Sequence, residues 1–315
     1  MTTIFVASIG GHLTQLTQLA PRLEGISRGG AIWVTHDSPQ SRSLLAGEHV
    51  EFVPYIKERD IVGVARASVH AAKLIRRYNV DSVVSTGSAI ALAYLGVASA
   101  MRKPAHFIES TAFLHGHSIT GRLLQHTPGV STYTQSRSLS DRSFRYCGSV
   151  LDGYTSIETE TSTIRRIVVT LGTSPQFQFT RLVNRLVKIL PPDVEVLWQT
   201  GCTDVSHLPI TASPWMPSAA LDEAMEAADV VIAHAGAGSI LASLQSGRRP
   251  LLVPRRAEHG EIPENHQLQI ASELSARGLA SVSDADYLSF ADIQAAASWR
   301  VERADAVAPV VLERV

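Results

Sequence analysis

Residues 228–239 read Ala228-Asp229-Val230-Val231-Ile232-Ala233-His234-Ala235-Gly236-Ala237-Gly238-Ser239. The apolar run at 229–232 has the character of a buried strand, and the residues from Gly238 towards Gly247 that of a helix. A strand that turns through Gly236 and Gly238 into a helix start is the geometry of an anion cradle. Glycine lets the backbone come close to a ligand, and the unpaired N–H groups of a first helical turn carry partial positive charge that suits a diphosphate. Taken alone, the glycines are read equally well as a tight strand-to-helix turn in any α/β domain. The rest of the chain shifts that balance.

With 315 residues and a 45% hydrophobic fraction, the chain has enough apolar material for two domains. Its net charge of −1 provides no basic surplus for nucleic acid. Cys147 and Cys202 are far apart and lack C-x-x-C spacing, which fits a reducing compartment with neither a disulfide framework nor a zinc site. The first six residues have no basic segment or cleavage site, and the longest apolar run, 89–101, is too short to span a bilayer. The expectation is a cytoplasmic protein, soluble or peripheral at the inner face of the membrane.

Short β-rich runs alternate with amphipathic ones, as in parallel α/β folds. The first half predicts strands at 4–7, 31–35, 50–53, 82–85, 105–108 and 130–134, and helices at 12–23, 61–78 and 89–101. Ile61, Val64, Ala65, Ala71, Leu74 and Ile75 form one apolar face of the second helix, while the third is apolar nearly all round and therefore buried. The Thr-, Ser- and Glu-rich stretch at 153–163 has little periodicity and is expected to link two domains, 1–152 and 164–315. Beyond it, strands are predicted at 166–171, 195–199, 230–233, 251–253 and 279–282, with helices at 180–190, 218–227, 238–246 and 265–276. The fold class is α/β, with two Rossmann-like, doubly wound domains. Ligands of such sheets bind beyond the carboxyl ends of the strands, in the cleft that the two domains are expected to face.

The loops predicted at those ends are rich in chemistry. In Ser8-Ile9-Gly10-Gly11-His12-Leu13, His12 falls at a helix start, whose positive end favours the neutral imidazole that accepts a proton; a tolerated polar residue is the alternative. Leu171-Gly172-Thr173-Ser174-Pro175 offers a glycine and two hydroxyls for phosphate oxygens, although such turns are common. The stretch from Pro254 through Glu261 to His266 and Gln267 carries more donors and acceptors than a turn needs. His115-Gly116-His117 is either a metal-ligand pair or, as preferred here, a loop.

Gly10-Gly11-His12-Leu13 with Gln15-Leu16 resembles the opening of the acceptor-binding subunit of bacterial exopolysaccharide glycosyltransferases, and of their eukaryotic relative that extends dolichol-linked N-acetylglucosamine. Val169-Thr170-Leu171-Gly172-Thr173, then residues 228–239, Gly247-Arg248-Arg249-Pro250 and His266-Gln267, resemble the partner donor-binding subunit. Both halves are similar to the lipid-linked N-acetylglucosaminyltransferase of peptidoglycan synthesis, in glycosyltransferase family 28. That resemblance implies a GT-B fold and an inverting, metal-independent transfer from a UDP-sugar. The implied acceptor is a saccharide, such as a polyprenyl-diphosphate-linked one, in cell-surface or exopolysaccharide synthesis.

The same resemblance implies site roles. Gly172, Thr173, Ser174 and the turn His234, Gly236, Ala237, Gly238 and Ser239 would embrace the diphosphate, with Met216 of Pro214-Trp215-Met216-Pro217 at the uracil. Glu261, His266 and Gln267 would meet the donor sugar, and Gly10, Gly11 and Ser88 the acceptor. Relatives place a Glu for the ribose diol five residues before the equivalent of Gly247, where this chain has Ala242. The base is His12 or Glu109, and neither cofactor nor metal is needed beyond the co-substrate. Asp284-Ala285-Asp286 has the spacing by which another glycosyltransferase fold holds manganese, but an Asp at a helix start is the preferred reading. The 114–124 stretch, with Arg122 among Ile119, Leu123 and Leu124, is read as a membrane-surface contact or a buried amphipathic helix. A UDP-N-acetylglucosamine 2-epimerase-like isomerase and a non-catalytic sugar-nucleotide-binding subunit are the rival readings.

Overall fold

The alternation of apolar runs and amphipathic helices resolves, in a computed structural model describing residues 1–26, 30–57, 60–114, 116–160, 163–172 and 176–312, into two parallel sheets. The chain divides into one unit formed by Met1–Asp152 with Ala306–Val315, and another formed by Gly153–Asp305.

The first unit runs β1 (Thr3–Ala7), α1 (Gly11–Leu19), β2 (Leu23–Glu24), β3 (Ala31–His36), α2 (Pro39–Leu44) and β4 (Val50–Val53). It continues with α3 (Ile61–Arg77), β5 (Ser82–Gly87), α4 (Ala89–Ala100), β6 (Ala105–Ile108), α5 (Ile119–Leu124), β7 (Val130–Thr134) and β8 (Phe144–Tyr146). Seven of these strands form a sheet in the order β4-β3-β1-β5-β6-β7-β8. The chain winds outward from β1 to β4 and then returns to β5, so β1 and β5 flank the point where winding reverses. Loops at the carboxyl ends of such a strand pair form the ligand crevice of a doubly wound sheet. The β1–β5 register slips between Val6 and Ala7, directly below that crevice. The apolar α4 buries Ile90, Ala91, Ala93, Tyr94, Leu95 and Ala98 between the sheet and its neighbours α3 and α5. In α3 the buried stripe is Ala67, Ala71, Leu74 and Ile75 with Val64 beside it, whereas Ile61 is 82% exposed. Ile61 and Ala65 fall outside the stripe because the 3.6-residue period centres it on 64, 67, 71 and 75.

The second unit contains β9 (Tyr154–Glu158), β10 (Arg166–Thr170), α6 (Thr180–Ile189), β11 (Glu195–Gln199), β12 (Ala212–Ser213), α7 (Ser218–Ala227) and β13 (Val230–Ala233). There follow α8 (Ala237–Gln245), β14 (Leu251–Leu252), α9 (His266–Ala276), β15 (Ser281–Val282), α10 (Phe290–Ala297) and β16 (Trp299–Arg303). The sheet order β12-β11-β10-β13-β14-β15 repeats the winding of the first unit, with β10 and β13 at the reversal. Apolar side chains of the sheet, α6 and α10 form its main core, including Val169, Phe179, Leu186, Ile232 and Ile293.

Two boundaries differ from the sequence reading. The stretch expected to be a linker holds β9, which pairs antiparallel with β16 from Glu158 opposite Trp299 to Tyr154 opposite Arg303. The end of the chain, expected in the second domain, belongs to the first unit: β17 (Val310–Val311) pairs with β2 and buries Val310 and Leu312.

Candidate functional site

In the first unit, residues 8–10 turn the chain from β1 into α1. Gly10 precedes that helix at φ 83°, no side chain caps it, and the Gly10 N–H donates to Gln40 Oε1 at 2.8 Å. His12 reaches back across the reversal point to the end of β5, where its Nδ1 lies 2.8 Å from the Thr86 carbonyl. The Thr86 hydroxyl returns a bond to the His12 carbonyl at 2.7 Å. A carbonyl only accepts, so Nδ1 carries the proton and Nε2 keeps its lone pair. Nε2 has no partner among the described residues. Burial holds the imidazole below its ordinary value of 6.5, against the pull of the Thr86 bond. A neutral ring with one fixed tautomer and a free Nε2 is a proton acceptor at neutral pH.

Gly87 makes this packing possible, since a Cβ there would stand 3.0 Å from His12 Cε1, and its φ is +120°. Ser88 follows at φ 68° and accepts from the Ala89 N–H at 2.7 Å, capping α4. Positive φ in a residue with a side chain costs on the order of 1–3 kcal/mol, and this one sits at the reversal point.

Glu109 occupies a different environment. It is 1% exposed at the end of β6; Oε2 accepts from the Ser118 N–H at 2.9 Å and Oε1 from its neighbour Ser110 at 3.1 Å. Gly121 of α5 closes over it, because a Cβ there would lie 2.6 Å from Oε2. Burial raises its pKa, with the Ser118 and Ser110 bonds opposing. The carboxylate thus ties the 109–118 loop to the start of α5.

In the second unit the reversal point is organised around His234. Its Nδ1 lies 3.3 Å from the Thr170 carbonyl, and its ring fills the space over two glycines. A Cβ on Gly172 would come within 2.8 Å of His234 Cε1, and one on Gly236 within 2.2 Å of Nε2. Burial, then the neighbouring Arg255 charge, push this histidine down to about 3, so it is neutral at physiological pH. Ala235 bends the turn at φ 63°. Beyond it, α8 starts at Gly236 with no side-chain cap, and its first backbone bond in the chain runs from Ile240 N–H to the Gly236 carbonyl. The amides of Ala237, Gly238 and Ser239 are therefore available to an anion. Ser239 Oγ also approaches Thr170 Oγ1 at 3.4 Å.

Two buried side chains brace this turn. Gln199, at the end of β11, accepts from Thr170 Oγ1 at 2.7 Å and donates through Nε2 to the carbonyls of Gly172 at 2.7 Å and Pro214 at 3.0 Å. Arg255, 2% exposed, donates through Nη2 to the carbonyls of Leu171 and Phe177, both at 2.9 Å, closing the two ends of the intervening loop. Its guanidinium lies over Phe179, its Nε has no partner among the described residues, and burial lowers it to about 10. Gln267 supports Arg255 by accepting its N–H at 3.0 Å.

Residues 166–295 match the glycosyltransferase family 28 C-terminal domain. The second unit is thus a domain of the glycosyltransferase family 28 C-terminal type. No curated protein sequence matches it. MurG of Acinetobacter baumannii superposes with a TM-score of 0.57 at 16% identity, over 94% of this chain and 89% of that one. MnaA of S. aureus, solved with UDP, gives 0.58 at 12% identity, over 93% and 94%. SnogD, a glycosyltransferase from Streptomyces nogalater, gives 0.53 at 18%, over 94% and 92%. At these identities the likenesses establish the GT-B fold.

Of the residues that the resemblance implies for the donor, Gly172, His234, Gly236, Ala237, Gly238, Ser239 and Gln267 gather at the reversal point of the second unit, while Thr173 and Ser174 lie outside the described residues. Met216 is half-buried in the loop before α7, and His266 opens α9 in an exposed position. Glu261 is engaged elsewhere: Arg181 grips both its oxygens at 2.9 and 3.1 Å, and the Arg256 N–H donates to it at 2.8 Å. Asp284 and Asp286 belong to the same network, each within 3.1 Å of Arg181. They are not at a helix start, because α10 begins at Phe290 under a Ser289 cap. Of the His115–His117 pair, His115 lies outside the described residues and His117 stacks on Phe144 with centroids 3.5 Å apart. Gly10, Gly11, His12 and Ser88 gather at the reversal point of the first unit. Thr86, Gly87 and Gln199 escaped the sequence reading, and Arg255 entered it only as part of the polar stretch after Pro254. For Gln199 a signal exists, a buried amide at the end of a predicted strand, but its partners are distant in sequence.

Proposed function

We propose that this protein is a glycosyltransferase that transfers a sugar from a UDP-sugar with inversion. The second unit holds the nucleotide sugar and the first the acceptor. The observation that supports this reading most is the His12 ring, fixed by Thr86 as the neutral tautomer with Nε2 free. In the proposed step an acceptor hydroxyl gives its proton to Nε2 while its oxygen attacks C1 of the sugar. The C1–O bond to the diphosphate breaks, and the leaving charge is met by the free amides at the start of α8, without a metal.

A polyprenyl-diphosphate-linked saccharide is the proposed acceptor, in cell-surface or exopolysaccharide synthesis at the cytoplasmic membrane face. No helix among the described residues is long and apolar enough to cross a membrane. The support for peripheral contact is an exposed apolar set at the helix starts of the first unit: Ile61 and Val62 on α3, Ile119 and Leu123 on α5, and Phe113 before it, with Arg122 among them.

The test is acceptor-dependent release of UDP from a panel of UDP-sugars in EDTA, with the anomeric configuration of the product read by NMR. Inverted product is expected, and His12→Ala lowers kcat by about 10²–10⁴-fold with binding of UDP retained. Retained configuration, or conversion of the UDP-sugar without acceptor, would overturn the proposal.

A further inference from the structure

The loop after β14 carries two adjacent arginines in opposite circumstances. Arg256 pairs with Asp284 at 2.8 Å and with Glu258 at 3.4 Å. Arg255 is 2% exposed and forms no ion pair with any described residue. Cys202 and Glu261 are the groups close enough to act on its charge, but Glu261 is gripped by Arg181 at 2.9 Å. Arg181 holds Asp284 and Asp286 as well, at 3.0 and 3.1 Å. Arg181 and Arg256 thus take up these carboxylates, and the more deeply buried cation is left without one. A buried charge without a counter-ion is costly.

The bonds that Arg255 makes do not call for a charge. Its Nη2 closes the 171–177 loop through the Leu171 and Phe177 carbonyls, and its Nε has no partner among the described residues. Carbonyls ask only for donors, and on the same loop Gln199 serves the Gly172 carbonyl with a neutral amide. The charge of Arg255 instead reaches His234, whose ring lies against Gly172 and Gly236 at the uncapped start of α8. An anion held at that turn is the counter-ion that Arg255 lacks. We propose that Arg255 is a positioning residue of the donor site, whose buried charge attracts the phosphates of the nucleotide through the loop it closes, without touching them. This assignment rests on the donor site proposed above.

The test is calorimetric titration of the full chain with UDP, in two sets of variants. Arg255→Gln and Arg255→Met are expected to weaken UDP about ten-fold, the scale of a unit-charge attraction at an effective dielectric constant of about 20, and Arg255→Lys to restore most of the affinity. Arg255→Gln as tight as wild type, or Arg255→Lys no tighter than Arg255→Gln, means that the side chain braces carbonyls and nothing more, which overturns the assignment. The second set leaves Arg255 and its bonds intact. Cys202→Asp places a carboxylate beside the same charge and is expected to weaken UDP about ten-fold relative to Cys202→Asn. Equal affinity in these two overturns the assignment even where the Arg255 variants fail to fold, and leaves the donor site standing if wild type binds UDP. If wild type binds another nucleoside diphosphate and not UDP, the uracil reading fails, and the same variants decide on Arg255 with that nucleotide. If no nucleoside diphosphate binds, both readings fall.

Discussion

His234 explains its own neighbours. Gly172 and Gly236 are the glycines that a sequence reader assigns to ligand approach, yet both lie against the imidazole. Gly236→Ala is therefore expected to cost about 1–3 kcal/mol through overpacking, and much less in a His234→Ala background, because the methyl then has somewhere to go. Urea titrations of the two single variants and the double variant measure that coupling. The same ring makes the protein acid-sensitive. Its folded pKa is about 3 against 6.5, so below pH 6.5 the unfolded chain takes up a proton that the folded chain refuses. Stability falls with pH across that window, at about 1.4 kcal/mol per unit for this group. His12 acts in the same direction. Urea midpoints between pH 7 and 5 should decline less steeply in His234→Gln than in wild type. His12 itself was legible as a residue at a helix start, but its tautomer was not, since Thr86 stands 74 positions away.

At the scale of elements, the strands facing a buried core were legible because both of their faces are apolar. β9 was not, because it exposes Thr155 and Glu158 and carries no apolar alternation. Short helices such as α2, whose Ser38 forms a capping box with Ser41, have too few turns to show a period. The end of β11 shows how elements build the site. Gln199 joins β10, the Gly172 turn and the Pro214 loop through one amide, and is 1% exposed. Gln199→Leu removes the amide donor from the Gly172 and Pro214 carbonyls and the acceptor from the Thr170 hydroxyl, with an expected loss of about 1–3 kcal/mol. The readout that separates this from a simple core defect is UDP affinity, which should fall together with stability because both bordering loops are released.

At the scale of the molecule, the two units repeat one winding order around two histidines, and each histidine bonds a carbonyl at the end of the adjacent strand. The repeat was visible in the sequence as alternation that restarts near residue 164; the return of the chain end to the first unit was not, because β17 is two residues long. That return is structural. Val310 is fully buried, and Arg22 donates to the Ala308 carbonyl at 3.0 Å. Truncation after Asp305 is expected to lower the melting temperature, by the loss of roughly 3–6 kcal/mol of aliphatic burial at Val310 and Leu312. The central claim, that the reversal point of the second unit holds the diphosphate of a UDP-sugar, is tested most directly by thermal unfolding with UDP, GDP and dTDP, each with and without EDTA. A ligand at about 100 times its Kd stabilises by roughly 2.7 kcal/mol. The account predicts that UDP raises the melting temperature equally in both conditions; no shift with any of the three, or a shift that EDTA abolishes, would contradict it.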